Sequence, residues 1–465
     1  MPPIVGVAAS ANPQTPAAPP AHPYLAPQGR NGMHADSHNS GTYPWAGPLG
    51  VNPVIHSASL GFIGGQCATV TFDSQGRLMA VCADFGGIRL LLMDAITFAE
   101  LARYELPPRE SGGSILDIDE IMNDTSGGAY HHIDDQDRPI IATADRHIRI
   151  FEVVGAPGAL AWQVVEDYDL NPSLPAGSRV TDAVPDFDGR IWFCTRGGVV
   201  GVVDPMSGAV STLTLVGEEI QNTFAVAADG VYIVSDYALY RFEYDTGTEA
   251  PVFTWREAYD RGTSIKPGAI NQGSGTTPTL LGDDLITIGD NADSQINLLV
   301  YKRRDDAVGP RLVCAEPLFA PGASWSDNSF IGYDRSIIVE NNYGSGNALE
   351  PYAVTAPGVW RVDVRPDLTG CDVAWRSNEI SPTTVPKMSV ASGLIYLYTR
   401  MPGTDVGLQA WSLTALDYET GATRWSIFTG TGFWWNNNWS PITLGPNGAA
   451  YAGVLNGIVS VRDGS

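Results

Sequence analysis

The chain has 465 residues, of which 51 are Gly and 33 are Pro, and no stretch has the periodicity of a long amphipathic helix. Its 51 acidic and 27 basic side chains give a formal net charge of −24, which repels phosphate groups and excludes nucleic acid as a partner. No run is apolar over the length that a bilayer crossing requires, so we expect no membrane span.

Residues 1–48 form a Pro/Ala-rich N-terminal segment, and we expect residues 49–465 to form a single domain. The segment lacks the basic start and apolar centre of an intact signal peptide, and its composition is typical of the tether that follows a removed one. We therefore predict an exported protein, either secreted or periplasmic. A loop with His34, Asp36 and Trp45 directly precedes the first predicted strand. We predict that this loop covers a ligand site as a lid.

Eight times along the chain, a short apolar strand enters a Gly- or Asp-containing turn and continues into a second apolar strand. The β-branched and aromatic residues suit a half-buried sheet, and the turn residues accept a positive φ. Successive turns lie about forty to sixty residues apart, which is the spacing of propeller blades. The hairpins are TFDSQGRLMAVC (71–82), HIDDQDRPIIAT (132–143), VPDFDGRIWFCT (184–195), AVAADGVYIVS (225–235), TLLGDDLITIG (279–289), SFIGYDRSIIVE (329–340), SVASGLIYLYT (389–399) and TLGPNGAAYAGV (443–454).

This pattern predicts an all-β fold, an eight-bladed β-propeller whose blades are four-stranded antiparallel sheets. The last repeat, residues 436–465, has room for only three strands. We predict that VNPVIHSAS (51–59) supplies the missing outermost strand, which joins the first and last blades and covers an exposed edge.

The five cysteines predict two disulfides. Cys67 and Cys82 flank the first turn symmetrically, so in an antiparallel pair they lie opposite one another. Cys314 and Cys371 occupy matching outer-strand positions of neighbouring blades, where a second bridge is within reach. Cys194 is left over, in the apolar strand IWFCT, and we interpret it as a buried inert thiol. Two bridges favour an oxidising compartment.

In a propeller, the residues just before the first strand and just after the second strand of each blade meet at one end of the axis. Here these positions are polar in every blade, which predicts a site for a small organic or sugar-like ligand in a protein that we expect to be monomeric. The predicted catalytic groups are side chains whose pKa can be shifted by burial, namely Asp290, Glu340, Lys387 and His131. The predicted ligand-binding residues carry amides or a carboxylate that can hydrogen-bond to the ligand, or indoles that can stack on it. They are Asn222, Asn291, Asp327, Asn328, Asn341, Asn342, Asn437, Trp435 and Trp439.

The same rim predicts a calcium site. Carboxylate and amide oxygens are the hard ligands that Ca²⁺ prefers. The predicted ligands are Glu340, Asn341, Asp290 and Asn437. His34, His38 and His131 are further candidates for a general base, whereas zinc lacks a third and fourth ligand at a suitable spacing.

The segment ALDYETGATRW (415–425) resembles the tryptophan-docking motif of the quinoprotein alcohol dehydrogenase family. Weaker copies are VVDPMSGAVST (202–212), FEYDTGTEAPVFTW (242–255) and VDVRPDLTGCDVAW (362–375). In that family Asp and Thr-Gly form the outer turn and Trp wedges between blades. The resemblance implies eight blades, pyrroloquinoline quinone stacked on a tryptophan, calcium held by Glu, Asn and Asp, an aspartate base, and an exported enzyme that oxidises alcohols or sugars. No two cysteines of this chain are neighbours, whereas many members place such a pair over the quinone.

Three functions follow as hypotheses. The first is an exported enzyme that acts by hydrolase or lyase chemistry on a small organic molecule or sugar, with Asp290, Glu340 and Lys387 as acid–base groups. The second is a calcium- and quinone-dependent dehydrogenase. The third is a non-catalytic extracellular propeller that binds its ligand at the same place. No GxSxG elbow, Walker loop or dinucleotide fingerprint adds another mechanism.

Overall fold

The computed structural model describes residues 4–60, 65–84, 86–109, 124–345, 355–401 and 409–464. Eight sheets, each built on four antiparallel strands in propeller order, surround a common axis, which confirms the predicted eight-bladed β-propeller. The helices of the described residues are two single-turn 3₁₀ segments, Asn171–Ser173 and Phe433–Trp435. None of the helices among the residues that the structure describes has the length and hydropathy needed to span a membrane.

The strands of each blade are numbered outward from the axis. Blade one contains Gln66–Phe72, Leu78–Asp84, Gly87–Met93 and Glu100–Leu106. Blade two contains His131–Ile133, Pro139–Thr143, His147–Val154 and Ala161–Asp169. Blade three contains Val180–Pro185, Ile191–Thr195, Val199–Val203 and Val210–Thr214. Blade four contains Ala225–Ala227, Gly230–Val234, Ala238–Asp245 and Ala250–Ala258.

The second half of the ring repeats this plan. Blade five contains Thr279–Leu281, Leu285–Gly289, Asn297–Lys302 and Leu312–Pro317. Blade six contains Ile331–Tyr333, Ser336–Glu340, Val359–Val364 and Cys371–Ser377. Blade seven contains Lys387–Ser389, Leu394–Arg400, Ala410–Asp417 and Thr423–Thr431. Blade eight contains Ile442–Leu444, Ala450–Val454 and Gly457–Arg462, and Val54–Ser59 is its outermost strand.

The ring closes as predicted, because Val54–Ser59 pairs antiparallel with Gly457–Arg462 from the other end of the chain. Blade seven gains two further short strands. Ile4–Gly6 pairs with its outer strand, and Thr42–Tyr43 pairs in parallel with its first strand. Residues from the beginning of the chain therefore complete two adjacent blades.

The first hairpin of each blade turns at one end of the axis, which we call the hairpin face. The opposite end, where each first strand begins and each second strand ends, is the mouth face. On the hairpin face, Asp73 and Asp134 each accept the backbone N–H groups two and four residues later, and their carboxylates pair with Arg77 and Arg138 at 2.6 and 2.7 Å. These contacts explain why an Asp and a following Arg recur in the hairpin turns.

Tryptophans wedge between adjacent blades, as the docking motif predicts. Trp375 of blade six is 8% exposed, and its indole N–H donates to the carbonyl of Tyr418 in blade seven at 2.8 Å. Its ring lies against Gly421, where an added Cβ would come within 2.4 Å of the ring. Asp417 shapes the same turn, because its carboxylate accepts the N–H and hydroxyl of Thr420 at 2.9 and 2.8 Å. The motif thus joins blades and carries no chemistry of its own.

Residues 25–43, which we call the belt, run inside the ring along the first strands of several blades. Nearly all of them are buried. Their carbonyl groups accept axis-facing N–H groups of first strands, which otherwise form unsatisfied sheet edges. The pairs are Ile133 to Asn31 at 2.6 Å, Val226 to Ser37 at 2.7 Å, and Leu280 to His38, Gly332 to Ser40 and Met388 to Gly41 at 2.9 Å.

The predicted lid loop belongs to this belt and its exit. His34 and Asp36 are 4% and 6% exposed inside the ring, and Trp45 donates its indole N–H to the carbonyl of Leu444 in blade eight at 2.9 Å. Residues before the belt cross the hairpin face, where the His22 ring packs on Phe187 of blade three at 4.2 Å. That the loop moves as a lid stays a prediction.

Both predicted disulfides are confirmed. Cys67–Cys82 links directly opposed residues of the first and second strands of blade one. Cys314–Cys371 joins the outer strands of blades five and six. Cys194 is fully buried, and burial raises the pKa of its thiol well above the ordinary value. A thiol with that environment is a poor nucleophile.

We expect Trp375→Ala to lower the free energy of unfolding by about 3–5 kcal/mol, because it removes a buried wedge and a hydrogen bond between two blades. Trp434→Ala is the matched control, because Trp434 is 43% exposed. Chemical denaturation measures both variants. Equal losses in the two variants would contradict the wedge.

Removal of residues 1–43 is expected to expose the axis-facing N–H groups of the first strands. Hydrogen-exchange mass spectrometry should then show loss of protection in residues 225–227, 279–281 and 331–333, with a lower thermal midpoint. Removal of residues 1–9 is the control, because it deletes the short strand on the outside of blade seven and leaves the belt intact. Unchanged protection without the belt would refute its structural role.

Candidate functional site

Blades six and seven bring two charged groups together at the mouth face of the axis. Glu340 ends the second strand of blade six and is 1% exposed. Lys387 begins the first strand of blade seven and is 0% exposed. Because each blade turns back at this face, the end of one strand and the start of another meet here, although 47 positions separate them in sequence (387 − 340).

Donors from three loops surround the Glu340 carboxyl group. Oε1 accepts hydrogen bonds from the side-chain amides of Asn342, at 3.1 Å, and Asn328. Oε2 accepts the hydroxyl of Ser381 at 2.6 Å. Burial raises the pKa of Glu340 to about 7, and these three hydrogen bonds and the charge of Lys387 oppose that shift. The carboxyl group can therefore hold or release a proton at neutral pH.

The Lys387 ammonium group has no hydrogen-bond partner among the described residues. Burial lowers its pKa to about 7, and the charges of Glu340 and Asp36 oppose the shift. Asp36 belongs to the belt, and burial raises its pKa to about 6 while Ser40 and the N–H of His38 stabilise its charged form. A buried amine of this kind is neutral in a substantial fraction of molecules at neutral pH.

Asp327 supplies a second buried carboxyl group in blade six. Its backbone N–H donates to Oδ1 of Asn342 at 2.9 Å, which ties it to the Glu340 network. Burial raises the pKa of Asp327 to about 8, and the N–H of Ile270 and the side chain of Gln221 lie close enough to oppose that shift. Neither donor forms a hydrogen bond of ordinary geometry with the carboxyl oxygens, so burial dominates.

His34 of the belt completes the cluster. Its Nδ1 lies 2.8 Å from Oγ of Ser329, and Nε2 has no partner among the residues described. Burial lowers the pKa of His34 well below the ordinary value, and the charges of Lys387 and His132 lower it further. A neutral imidazole therefore lies in the electrostatic field of Lys387. We call Glu340, Lys387, Asp327, His34 and their hydrogen-bond partners the axial cluster.

Several predicted site residues form hydrogen bonds within their own loop or to a neighbouring loop. Asp290 accepts the backbone and side-chain N–H groups of Asn297 at 2.6 and 2.7 Å. Asn291 donates to the carbonyls of Arg261 and Ser264 in the loop between blades four and five. Asn341 accepts the N–H of Trp325 at 3.2 Å and donates to the carbonyl of Ala323. Their roles in catalysis or binding stay predictions.

Other predicted residues lie in other blades. His131 is 0% exposed in blade two, and burial lowers its pKa to about 3, which disfavours a role as a base at neutral pH. Asn222 accepts the hydroxyl of Tyr130 and donates to the carbonyl of Gly275. Asn437 accepts the hydroxyl of Thr383 at 3.1 Å.

The two predicted stacking residues lie in the connection between blades seven and eight. Trp435 packs on Gly430, where an added Cβ would come within 2.1 Å of its ring. Trp439 is half-buried and has a φ of +65°, a conformation that is uncommon for a large side chain. Contact of either ring with a ligand stays a prediction.

The predicted calcium ligands belong to the hydrogen-bond networks of the protein itself. The side-chain oxygens of Glu340, Asn341, Asp290 and Asn437 already accept N–H or O–H donors of the protein. No group of three or more His, Cys, Asp or Glu side chains suited to a metal occurs in the described ranges. We therefore derive no step through a metal ion, and calcium binding stays a prediction.

The tryptophan beside the axial cluster is closed to a stacked quinone. Trp325, next to the axial cluster, is 0% exposed, so neither face of its ring is open to a planar cofactor. The quinone-dependent subtype implied by the docking motif is thus not confirmed, and we derive no step through a quinone.

Two features of the axial cluster escaped the sequence analysis. Ser381 has no distinguishing pattern in its loop, although its hydroxyl contacts Glu340. The sequence predicts Asp36 in a lid, whereas the belt places it close enough to Lys387 for its charge to affect the pKa of that lysine. Asp36 precedes Ser40 by four residues and accepts its backbone N–H. This short separation in sequence is the local signal that could have indicated a structured turn.

No protein-family model matches the chain. A protein of Archaeoglobus fulgidus described as uncharacterized is 25% identical over 321 residues, which cover 62% of this chain and 61% of that protein. The chain thus spans about three fifths of the length of this relative.

Similar solved structures include BamB from Moraxella catarrhalis, with a TM-score of 0.47, 16% identity, and coverage of 89% of this chain and 97% of that one. A streptogramin B lyase structure has a TM-score of 0.43 and 10% identity, covering 88% and 99% of the two chains. A computationally designed protein, Ika8, has a TM-score of 0.47 and 11% identity, covering 87% and 98%. None of these similarities assigns a ligand or a reaction to this chain.

Asp327→Asn tests the buried carboxyl group. Since the pKa is about 8 in the folded protein against 3.8 ordinarily, the folded state keeps a proton that the unfolded chain releases. The wild-type protein should therefore lose stability as the pH rises from about 4 to about 8. Asparagine does not ionise, so the stability advantage of the variant should grow over this interval and stay constant above it.

Chemical denaturation of both proteins at several pH values measures this difference. Asp188→Asn is the control, because the Asp188 side chain is 76% exposed. A difference between Asp327→Asn and wild type that does not change with pH would show that Asp327 is not a carboxyl group of raised pKa.

Proposed function

We propose that this protein is an exported β-propeller enzyme that binds a small polar, sugar-like molecule at the axial cluster and transforms it by hydrolase- or lyase-type acid–base chemistry. One observation carries the proposal. Burial shifts the pKa of Lys387 down and that of Glu340 up, so that both reach about 7 in the same buried cluster. Groups with opposite ordinary charge and matched pKa values are suited to proton transfer at neutral pH.

In this proposal, neutral Lys387 takes a proton from the substrate, and protonated Glu340 donates one to the leaving group. Asn328, Asn342 and Ser381 hold the Glu340 carboxyl group in one orientation, which limits the reorganisation that proton transfer requires. Asp327 provides a second proton-bearing carboxyl group beside this network. Positioned acids and bases typically contribute about 10²–10⁴-fold to a rate.

Access to the cluster requires a covering segment to move. Residues 259–278 connect blades four and five and lie against Asp327, since an added Cβ on Gly275 would come within 1.9 Å of Oδ1 of that residue. Asn222 and Asn291 hold this segment by hydrogen bonds to its carbonyls. In this arrangement, Asn222 and Asn291, which were predicted to bind the ligand, hold in place the segment that must move to admit it.

A non-catalytic binding propeller is the second candidate. It does not require the ammonium group of Lys387, which is 0% exposed, to exchange a proton with a bound molecule. The two disulfides support export for both candidates, because such bonds persist in oxidising compartments.

Glu340→Gln and Lys387→Met distinguish the two candidates. Neutral and acidic oligosaccharides are the probes, with new reducing ends reporting hydrolysis and absorbance of unsaturated products reporting elimination. For an enzyme, kcat should fall by about 10²-fold or more in each variant while the Kd changes by less than about threefold.

Lys302→Met is the matched control, because this lysine donates to the carbonyl of Val308 in blade five, outside the axial cluster. Saccharide binding without turnover by the wild-type protein would support the binding propeller. Turnover that survives both substitutions would refute the assigned acid–base roles.

A further inference from the structure

A cavity of about 520 Å³ lies between blades six and seven, outside the axial cluster. Its walls come from residues 377–380, which follow the outer strand of blade six, from the outer strand of blade seven, and from Val5 and Gly6 of the N-terminal strand. The end of the second strand of blade seven, at Thr399 and Arg400, also lines it. This volume is in the range of small-molecule sites in proteins.

Hydroxyl groups form one wall of this cavity. Oγ1 of Thr399 lies 2.7 Å from Oγ1 of Thr414, which in turn donates to Oγ of Ser426 at 2.9 Å. Thr399 and Ser426 line the cavity from the second and fourth strands of blade seven. A row of hydroxyl groups can accept and donate hydrogen bonds to a hydroxylated ligand.

Two arginines and one glutamate line the cavity. Arg424 pairs with Asp417 at 2.7 Å, and the carboxylate of Glu379 accepts the hydroxyl of Thr423. Arg400 is half-buried and contacts Oγ1 of Thr355 at 3.5 Å, with no acidic partner among the described residues. Burial lowers the pKa of Arg400.

Within the described part of blades six and seven, Arg400 differs from other arginines in this respect. Arginines elsewhere in blades six and seven hold carboxylates, as Arg361 does with Asp363 at 2.8 Å and Arg365 does with Asp372 at 2.6 Å. A half-buried guanidinium that holds no carboxylate of the described residues has N–H groups that can donate to the carboxylate of a ligand.

We propose that this cavity is a second ligand site, which takes a small polyhydroxylated carboxylic acid. The ligand carboxylate binds the guanidinium of Arg400, whose paired N–H groups match the two oxygens of a carboxylate. The ligand hydroxyls bind the row that begins at Thr399 and ends at Ser426. The site does not depend on the reaction proposed for the axial cluster.

Isothermal titration of the full chain with D-galacturonate tests the proposal, with D-galactose as the neutral analogue and acetate as the carboxylate without hydroxyls. We expect D-galacturonate to bind more tightly than either. Arg400→Leu should weaken its binding by at least about tenfold, and Thr399→Val should weaken it by a smaller factor. Arg365→Leu is the matched control, since it removes an arginine from an exposed ion pair of blade six.

Thermal unfolding without ligand separates binding from a structural role. Since Arg400 is half-buried and forms no ion pair with the described residues, Arg400→Leu should leave the midpoint unchanged or raise it. Lys387→Met should leave D-galacturonate binding unchanged, which distinguishes this cavity from the axial cluster. The proposal fails if D-galacturonate does not bind, if D-galactose binds equally well, if Arg400→Leu retains full affinity, or if that substitution lowers the midpoint strongly.

Discussion

The axis-facing edges of the first strands impose the constraint on which the rest of this structure depends. A ring of blades turns the inner edges of its sheets, with the free N–H groups of the innermost strands, toward a shared channel. In this protein the belt satisfies them, with carbonyls of Asn31, Ser37, His38, Ser40 and Gly41 accepting from five different blades. Because the belt fills the interior, polar side chains such as Lys387 are enclosed rather than hydrated, and enclosure is what shifts their pKa values.

The fold could be predicted because its signals are local and repeated. Each hairpin carries its own turn residues, and the docking motif in blade seven identifies the wedge that Trp375 forms on Gly421. The two disulfides followed from the symmetry of hairpins and the equivalence of outer strands. Repetition of this kind fixes a topology without any knowledge of long-range contacts.

The candidate site could be predicted only in part. Acidic and amide side chains at the ends of strands can either stabilise their own turn or form a site together with other loops. Asp290 and Glu340 occupy the same position after a second strand, yet Asp290 accepts hydrogen bonds within its own turn whereas Glu340 accepts them from other loops. Nothing in the residue types separates the two cases. The belt has no periodic pattern, and its contacts cross large sequence distances, such as the 295 residues between His34 and Ser329.

The belt also bears on how the chain reaches its native state. Residues near the N-terminus are synthesised first, yet their partners extend to Met388 and Leu444, so they cannot be placed until most of the blades exist. Ring closure by Val54–Ser59 has the same property, because its partner strand ends at Arg462. A chain with such distant contacts is expected to fold slowly and late, after synthesis rather than blade by blade during it. In that order of events, a segment that is synthesised before all eight blades is the last to find its place.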